Sequence, residues 1–147
     1  MLSENLKILL ATLSAYALKA QYFHWNVEGP DFGQLHKFFG MIYDDVYENS
    51  LDQTAEYIRV LESYTPGSFE RFQELSLIVG QTKIPRAQLM IEELAQDNQT
   101  VIDFLNTCFE SADAENRQGI ADFLAGRIDA HGKFGWMMKS YLKEERA

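Results

Sequence analysis

Apolar residues recur every three or four positions along most of the chain, the period of one face of an α-helix. Leu6, Leu9, Leu10, Leu13 and Ala17 form the first such stripe, and Leu35, Phe39, Ile42 and Val46 the second. Met90, Leu94, Val101, Leu105 and Cys108 form a third, and Ile120, Leu124, Ile128, Met138 and Leu142 a fourth. Few windows alternate as strands do. The pattern predicts helix A from about Ser3, as N-cap, to about Val27, where Glu28-Gly29-Pro30 breaks it. Asp31 is placed to cap helix B, with Gln34 three residues on as in a capping box. Helix B runs to about Glu62 and is ended by Tyr64-Thr65-Pro66-Gly67. Ser68 opens a short helix through about Leu77. Pro85 stands in the first turn of helix C, which continues to about Phe109, and Asp113 is the expected cap of helix D.

One irregularity interrupts helix B. After Val46 its stripe resumes at Leu51, Ala55 and Ile58, a step of five that a π-bulge would absorb, and such bulges are frequent at functional sites. The A–B and C–D links are short, so those pairs are antiparallel, whereas the B–C link is long and holds its own short helix. The expected fold is therefore all-α: a ferritin-like four-helix bundle with one long crossover, as a single domain over residues 1–147.

The charge narrows the function. Acidic residues number 22 against 13 basic, a formal net charge of -9. Such a surface repels phosphate backbones and suits cations. With Cys108 as the single cysteine there is no intrachain disulfide. This favours a reducing compartment, with the thiol as a small buried apolar group. Residues 8–18 imitate a secretory leader after Lys7, but Glu4 cancels the charge and the helical stripe runs on past the A-Y-A, which reads as mature helix. No run approaches the roughly 18 apolar residues of a membrane span. A cytoplasmic location is expected. Asn98-Gln99-Thr100 matches a glycosylation sequon but falls mid-helix.

Three histidines are available: His24, His36 and His131. His24 ends helix A and His36 opens helix B, so the turn between them can bring the two imidazoles together. Asp52 and Glu56 share one face of helix B at i, i+4 spacing. Imidazole suits iron, zinc or copper, and carboxylates extend the choice to harder ions. The plain alternative is a solvated carboxylate face and ordinary histidines. His36 and Asp52 are 16 residues apart in the sequence, or about 24 Å along one helix. They cannot share a metal within one subunit, but they can across a two-fold axis between antiparallel B helices. Gln21, Gly33 and Ile128 stand three before the histidines, so the Glu-x-x-His motifs of an intrasubunit di-iron site are missing.

His24-Trp25-Asn26-Val27-Glu28-Gly29-Pro30-Asp31-Phe32 with Leu35-His36 resembles the H-W-x-V-x-G-x-x-F…L-H motif of the Dps proteins, the small ferritins named as DNA-binding proteins from starved cells. Asp52-Gln53-Thr54-Ala55-Glu56 is similar to that family's D-x-x-A-E, and Pro66-Gly67-Ser68, Glu74-Leu75-Ser76, His131-Gly132-Lys133 and Trp136-Met137-Met138 match its crossover and last helix. The resemblance implies a hollow shell of twelve subunits that oxidises ferrous iron, preferably with hydrogen peroxide, and stores the ferric product. It implies ligands His24 and His36 from one subunit and Asp52 from the other, with Glu56 bridging two irons. Trp25 would sit beside the site and absorb radical equivalents.

Two positions depart from the family pattern. Gly40 stands where the family has a further Asp or Glu, which implies an asymmetric site with a weak second iron position and leaves Asp44, Asp45 or Glu48 as substitutes. A carboxylate restored at position 40 would strengthen that position if residue 40 faces the partner. The His36–Asp52 gap is also one residue longer than usual, with the extra residue after Tyr43. Two other readings stand beside the leading one: a structural shell with weak or lost ferroxidase activity, and a DNA-compacting protein. The second is disfavoured because no basic residue precedes Lys7, and Lys139, Lys143 and Arg146 are offset by Glu144 and Glu145. His131 is expected in structural hydrogen bonding, and Phe23, Phe38, Phe39 and Trp136 in core or interface packing. Asp113, Glu115 and Asp122 are candidates for an acidic iron-entry pore.

Overall fold

A computed structural model of the chain describes residues 1–143. Six α-helices follow one another: α1 (Leu2–Asn26), α2 (Phe32–Val46), α3 (Asp52–Val60), α4 (Phe69–Leu75), α5 (Ala87–Ala114) and α6 (Gln118–Leu142). A π-helical segment, Tyr47–Leu51, joins α2 to α3 without a break, so these three together are the expected helix B. The step of five in the apolar stripe is thus a real widening of the helix. The inward face passes Leu35, Phe39, Ile42 and Val46, then Ser50 and Thr54, and returns to Ile58, all buried. Leu51 and Ala55, expected on that face, are half-buried against the core. The wider turn spreads the extra residue over two neighbouring columns, and the deeper column carries the hydroxyls of Ser50 and Thr54, which have no hydrogen-bond partner among the described residues.

α1 and α2 form one antiparallel pair and α5 and α6 the other. The crossover runs along α1. Thr65 Oγ1 donates to the Ala55 carbonyl (2.7 Å), the Leu77 N–H donates to Thr12 Oγ1 (3.0 Å), and Tyr22 Oη donates to the Lys83 carbonyl (2.8 Å). It therefore travels from the end of α3 to the far end of α1, where α5 begins. Ser68 caps α4, its Oγ accepting from the Arg71 N–H as expected.

Other helix ends differ from the sequence reading. Ser3 lies inside the first turn of α1, and the Leu2 N–H, at the helix start, donates to Glu115 Oε2 (2.9 Å). Glu115 thereby caps α1 from a distance. Asp31 does precede α2, but its carboxylate makes no capping bond and accepts instead from Tyr141 Oη (2.6 Å). Pro85 lies just outside α5, whose N-cap is Arg86. α5 runs five residues past Phe109, so Asp113 is helical rather than a cap. The reversal is made by Asn116, with φ 57, a left-handed conformation that Asn tolerates better than most residues.

A polar seam crosses the apolar core. Tyr16 Oη donates to Asn98 Oδ1 (3.1 Å), and Asn98 Nδ2 donates to the His131 carbonyl (2.9 Å). His131 Nδ1–H donates to Asn98 Oδ1 (2.9 Å). One amide so ties α1, α5 and α6 together. Asn98 is 1% exposed, which removes it as a glycan acceptor. His131 has the structural role expected of it. Lys19, also buried, pairs with Asp97 (2.6 Å) and Glu93 (2.9 Å). Cys108 is buried, and burial pushes its thiol up to about 12. No described helix is long and apolar enough to cross a membrane.

Candidate metal centre

The A–B turn needs a residue in the left-handed region, and Gly29 supplies it with φ 112. The turn folds the end of α1 onto the start of α2 and brings His24 against His36. Their rings stack with centroids 3.8 Å apart and planes 14° from parallel. The hydrogen bonding is reciprocal: His24 Nδ1–H donates to the His36 carbonyl (2.6 Å), and His36 Nδ1–H donates to the His24 carbonyl (2.7 Å). A carbonyl only accepts, so each Nδ1 must carry the proton. The nitrogen left to bind a metal on each ring is then Nε2. A ring held this way through its second nitrogen is the usual arrangement of a metal-binding histidine.

Aromatic rings enclose the pair. Phe32 stacks on His36 at 5.1 Å, and Tyr43 meets His24 edge-on at 5.3 Å. Beneath His24 lies Gly40, buried in α2, where a Cβ would come within 3.1 Å of His24 Nδ1 and 3.2 Å of Cε1. Residue 40 therefore looks at the imidazole rather than away from the subunit. A surface groove of about 610 Å³ opens beside the pair, with Tyr43, Asp44 and Glu48 in its wall. Asp44 and Glu48 are exposed there.

Asp45 also reaches the groove, but its carboxylate is held by the buried Arg127 guanidinium. Burial works to raise its pKa, yet the bonds and charge of Arg127 outweigh this and lower it. Of the three substitute carboxylates considered, Asp45 is thus already engaged. Nothing in the sequence announced that pairing beyond the spacing of Arg127 one turn before His131.

Asp52 and Glu56 are exposed on α3, beyond the π segment. No three His, Cys, Asp or Glu side chains gather into a metal-binding group among the described residues. The structure joins His24 to His36 and leaves Asp52 and Glu56 apart from them. Trp25, next to His24, is 61% exposed, and Trp136 is 65% exposed, so neither is a core residue of the subunit. Phe23 and Phe39 are buried and packed together at 5.8 Å. Of the pore candidates, Asp113 and Asp122 are exposed, whereas Glu115 is committed to the α1 terminus. Glu144, Glu145 and Arg146, weighed above as part of a basic tail, lie outside the described residues.

Comparison with known proteins extends these observations. The family model of the ferritin-like domain matches residues 3–147. An uncharacterized low temperature-induced protein of Nostoc sp. is 34% identical over 128 residues, covering 86% of this chain and 71% of that protein. The crystal structure of Dps from Staphylococcus aureus superposes with a TM-score of 0.93 at 29% identity, covering 98% of this chain and 96% of that one. A Dps protein from Vibrio cholerae, described as a member of a broad superfamily of ferritin-like diiron-carboxylate proteins, superposes with a TM-score of 0.92 at 25% identity over 97% of this chain and 89% of that one.

Proposed function

The chain belongs to the ferritin-like family, in its Dps branch, and on that premise we propose that it is an iron-oxidising, iron-storing protein whose working site is built between two subunits. The observation that carries the reading is the reciprocal lock of His24 and His36, which holds two imidazoles side by side with neither Nε2 in a hydrogen bond among the described residues. Asp52 and Glu56 sit too far along the same helix to join them from within the chain. A second copy running antiparallel along helix B brings its Asp52 and Glu56 to the histidines, and the two-fold symmetry makes two such sites. His24 and His36 bind ferrous iron there, Asp52 of the partner subunit completes the first position, and Glu56 of the partner subunit bridges to the second. Two ferrous ions each give one electron to a hydrogen peroxide molecule. Its O–O bond breaks to leave two hydroxides, and the ferric ions hydrolyse to mineral. Trp25 stands beside His24 to take up stray oxidising equivalents. The assembly is a closed shell of twelve subunits.

Complementation tests the intersubunit site. Chains with His24→Ala and His36→Ala, and separately chains with Asp52→Asn and Glu56→Gln, are each expected to oxidise ferrous iron with peroxide slowly, followed by near-ultraviolet ferric absorbance. Reassembled from an equal mixture, they regain about a quarter of the wild-type rate, because half of the two-fold contacts are mixed and each of those holds one intact site. No recovery from mixed shells, or a monomer in native mass spectrometry, would overturn the reading. A specific observation favours one rival, a shell of reduced activity: Gly40 offers no oxygen to the second iron position. DNA compaction finds no support in the formal charge of -9.

A further inference from the structure

We propose that the bundle encloses a hydration site of its own: a cluster of ordered waters between helix B and α6, bound by Ser50, Thr54, Arg127 and His131. Five buried side-chain atoms among the described residues have no hydrogen-bond partner: Ser50 Oγ, Gln53 Oε1, Thr54 Oγ1, Arg127 Nε and His131 Nε2. They are not scattered through the core. Three come from residues 50–54 of helix B and two from residues 127–131 of α6. Contacts on either side bring these segments face to face. Arg127 reaches across to the Asp45 carboxylate, and Tyr57 packs on Phe123 with ring centroids 5.4 Å apart. Ser50 and Thr54 lie between Asp45 and Tyr57 on helix B and are 0% exposed. His131 follows Arg127 by one turn, on the same face of α6.

The chemistry of the unpartnered atoms selects the ligand. His131 gives its Nδ1–H to Asn98, and burial keeps the ring neutral, so its Nε2 can only accept. Arg127 Nε–H can only donate, and the two hydroxyls can do either. None of these atoms bonds to another. In a regular α-helix a buried Ser or Thr hydroxyl can turn back onto the carbonyl one turn earlier. At Ser50, inside the π segment, and at Thr54 just beyond it, neither hydroxyl does so, and both stay free to bind outward. A cation is disfavoured by the Arg127 charge, and an anion because Asp45 already neutralises that charge. Water is neutral and both donates and accepts, so it can give a hydrogen to His131 Nε2 and take one from Arg127 Nε. Buried polar groups left without a protein partner are the usual seats of internal water. At about one buried water per 27 residues, a cluster of this kind is ordinary for a chain of 147.

A high-resolution crystal structure of the full chain, with Thr54→Val beside it, tests the proposal. Wild type is expected to show ordered waters within hydrogen-bond distance of His131 Nε2, Arg127 Nε and the Ser50 and Thr54 hydroxyls. Thr54→Val keeps the volume and exchanges the hydroxyl for a methyl. It is expected to lose a water from the cluster and to unfold at a lower urea concentration than wild type, followed by far-ultraviolet circular dichroism. A layer without water density in wild type would overturn the proposal, as would density with the strength and short contacts of a metal ion at His131 Nε2. Unfolding of Thr54→Val at the same or a higher urea concentration would also overturn it, since removing a hydroxyl buried with no partner at all costs nothing.

Discussion

Acidification should destabilise the bundle through one residue, His131. Its side chain is 0% exposed, and burial first, then the neighbouring Arg127 charge, lower its pKa to about 3 against the opposing pull of Asp45. In the unfolded chain the same imidazole titrates near 6.5. Between these two values the unfolded state binds a proton that the folded state refuses, so stability falls as pH falls; above the unfolded value His131 contributes no slope. At about pH 5 the unfolded chain has gained roughly 1.5 pH units of protonation, worth about 2 kcal/mol per chain at about 1.36 kcal/mol per unit. Asp45, with its pKa lowered from the ordinary carboxylate value, stays ionised between about pH 5 and about pH 7, the span compared. Asp97 is raised by burial, against the pull of Lys19, and is common to both chains compared. The comparison is wild type against His131→Gln, by urea unfolding followed by far-ultraviolet circular dichroism at about pH 7 and about pH 5. Wild type should lose about 2 kcal/mol more than the variant. Parallel losses would refute the reasoning, since the proton would then enter the folded core without penalty.

Three further expectations address other parts of the molecule. Asn98→Leu strands the Tyr16 hydroxyl and the His131 Nδ1–H in the core, and should cost about 3 kcal/mol or more in the same unfolding assay. Within α6, Gly126→Ala meets open space and should stabilise by about 0.5–1 kcal/mol, whereas Gly135→Ala brings a Cβ within 3.2 Å of Asn98 Nδ2 and should destabilise instead. At physiological salt the assembled particle should leave duplex DNA unshifted in a gel, since a chain of charge -9 opposes phosphate approach.

The long helices were legible because their core faces keep an unbroken helical period, and even the π segment announced itself as a step of five. Their ends were not, for a physical reason: the termini are satisfied by distant partners. Glu115 meets the start of α1, Tyr141 draws Asp31 away from capping, and a left-handed Asn116 ends the reversal that Asp113 was expected to begin. Within the candidate centre, the short A–B turn was enough to pair His24 with His36. The bonds that orient them go to backbone carbonyls, which every residue has, and so leave no trace in the sequence.

The extra residue in helix B shows how the two ends of one helix are kept in register with a single core. One residue inserted into a regular α-helix turns everything after it by about 100° and advances it by about 1.5 Å. Without relief, Ile58 would leave the core and Asp52 and Glu56 would rotate off the outer face. The π segment Tyr47–Leu51 confines that rotation, and Ile58 remains fully buried while both carboxylates stay exposed. Deleting the exposed Asn49 should therefore convert the segment to α-helix with the registers of α2 and α3 intact. The Ser50 and Thr54 hydroxyls, without a partner among the described residues, would gain ordinary carbonyls one turn back. The thermal midpoint of this variant should equal or exceed that of wild type. Deleting the equally exposed Asn106 inside α5, where no π segment can absorb the loss, should unfold the bundle. A collapse of stability on removing Asn49, comparable to that on removing Asn106, would show that the widened turn is required for the fold and does not merely accommodate an insertion.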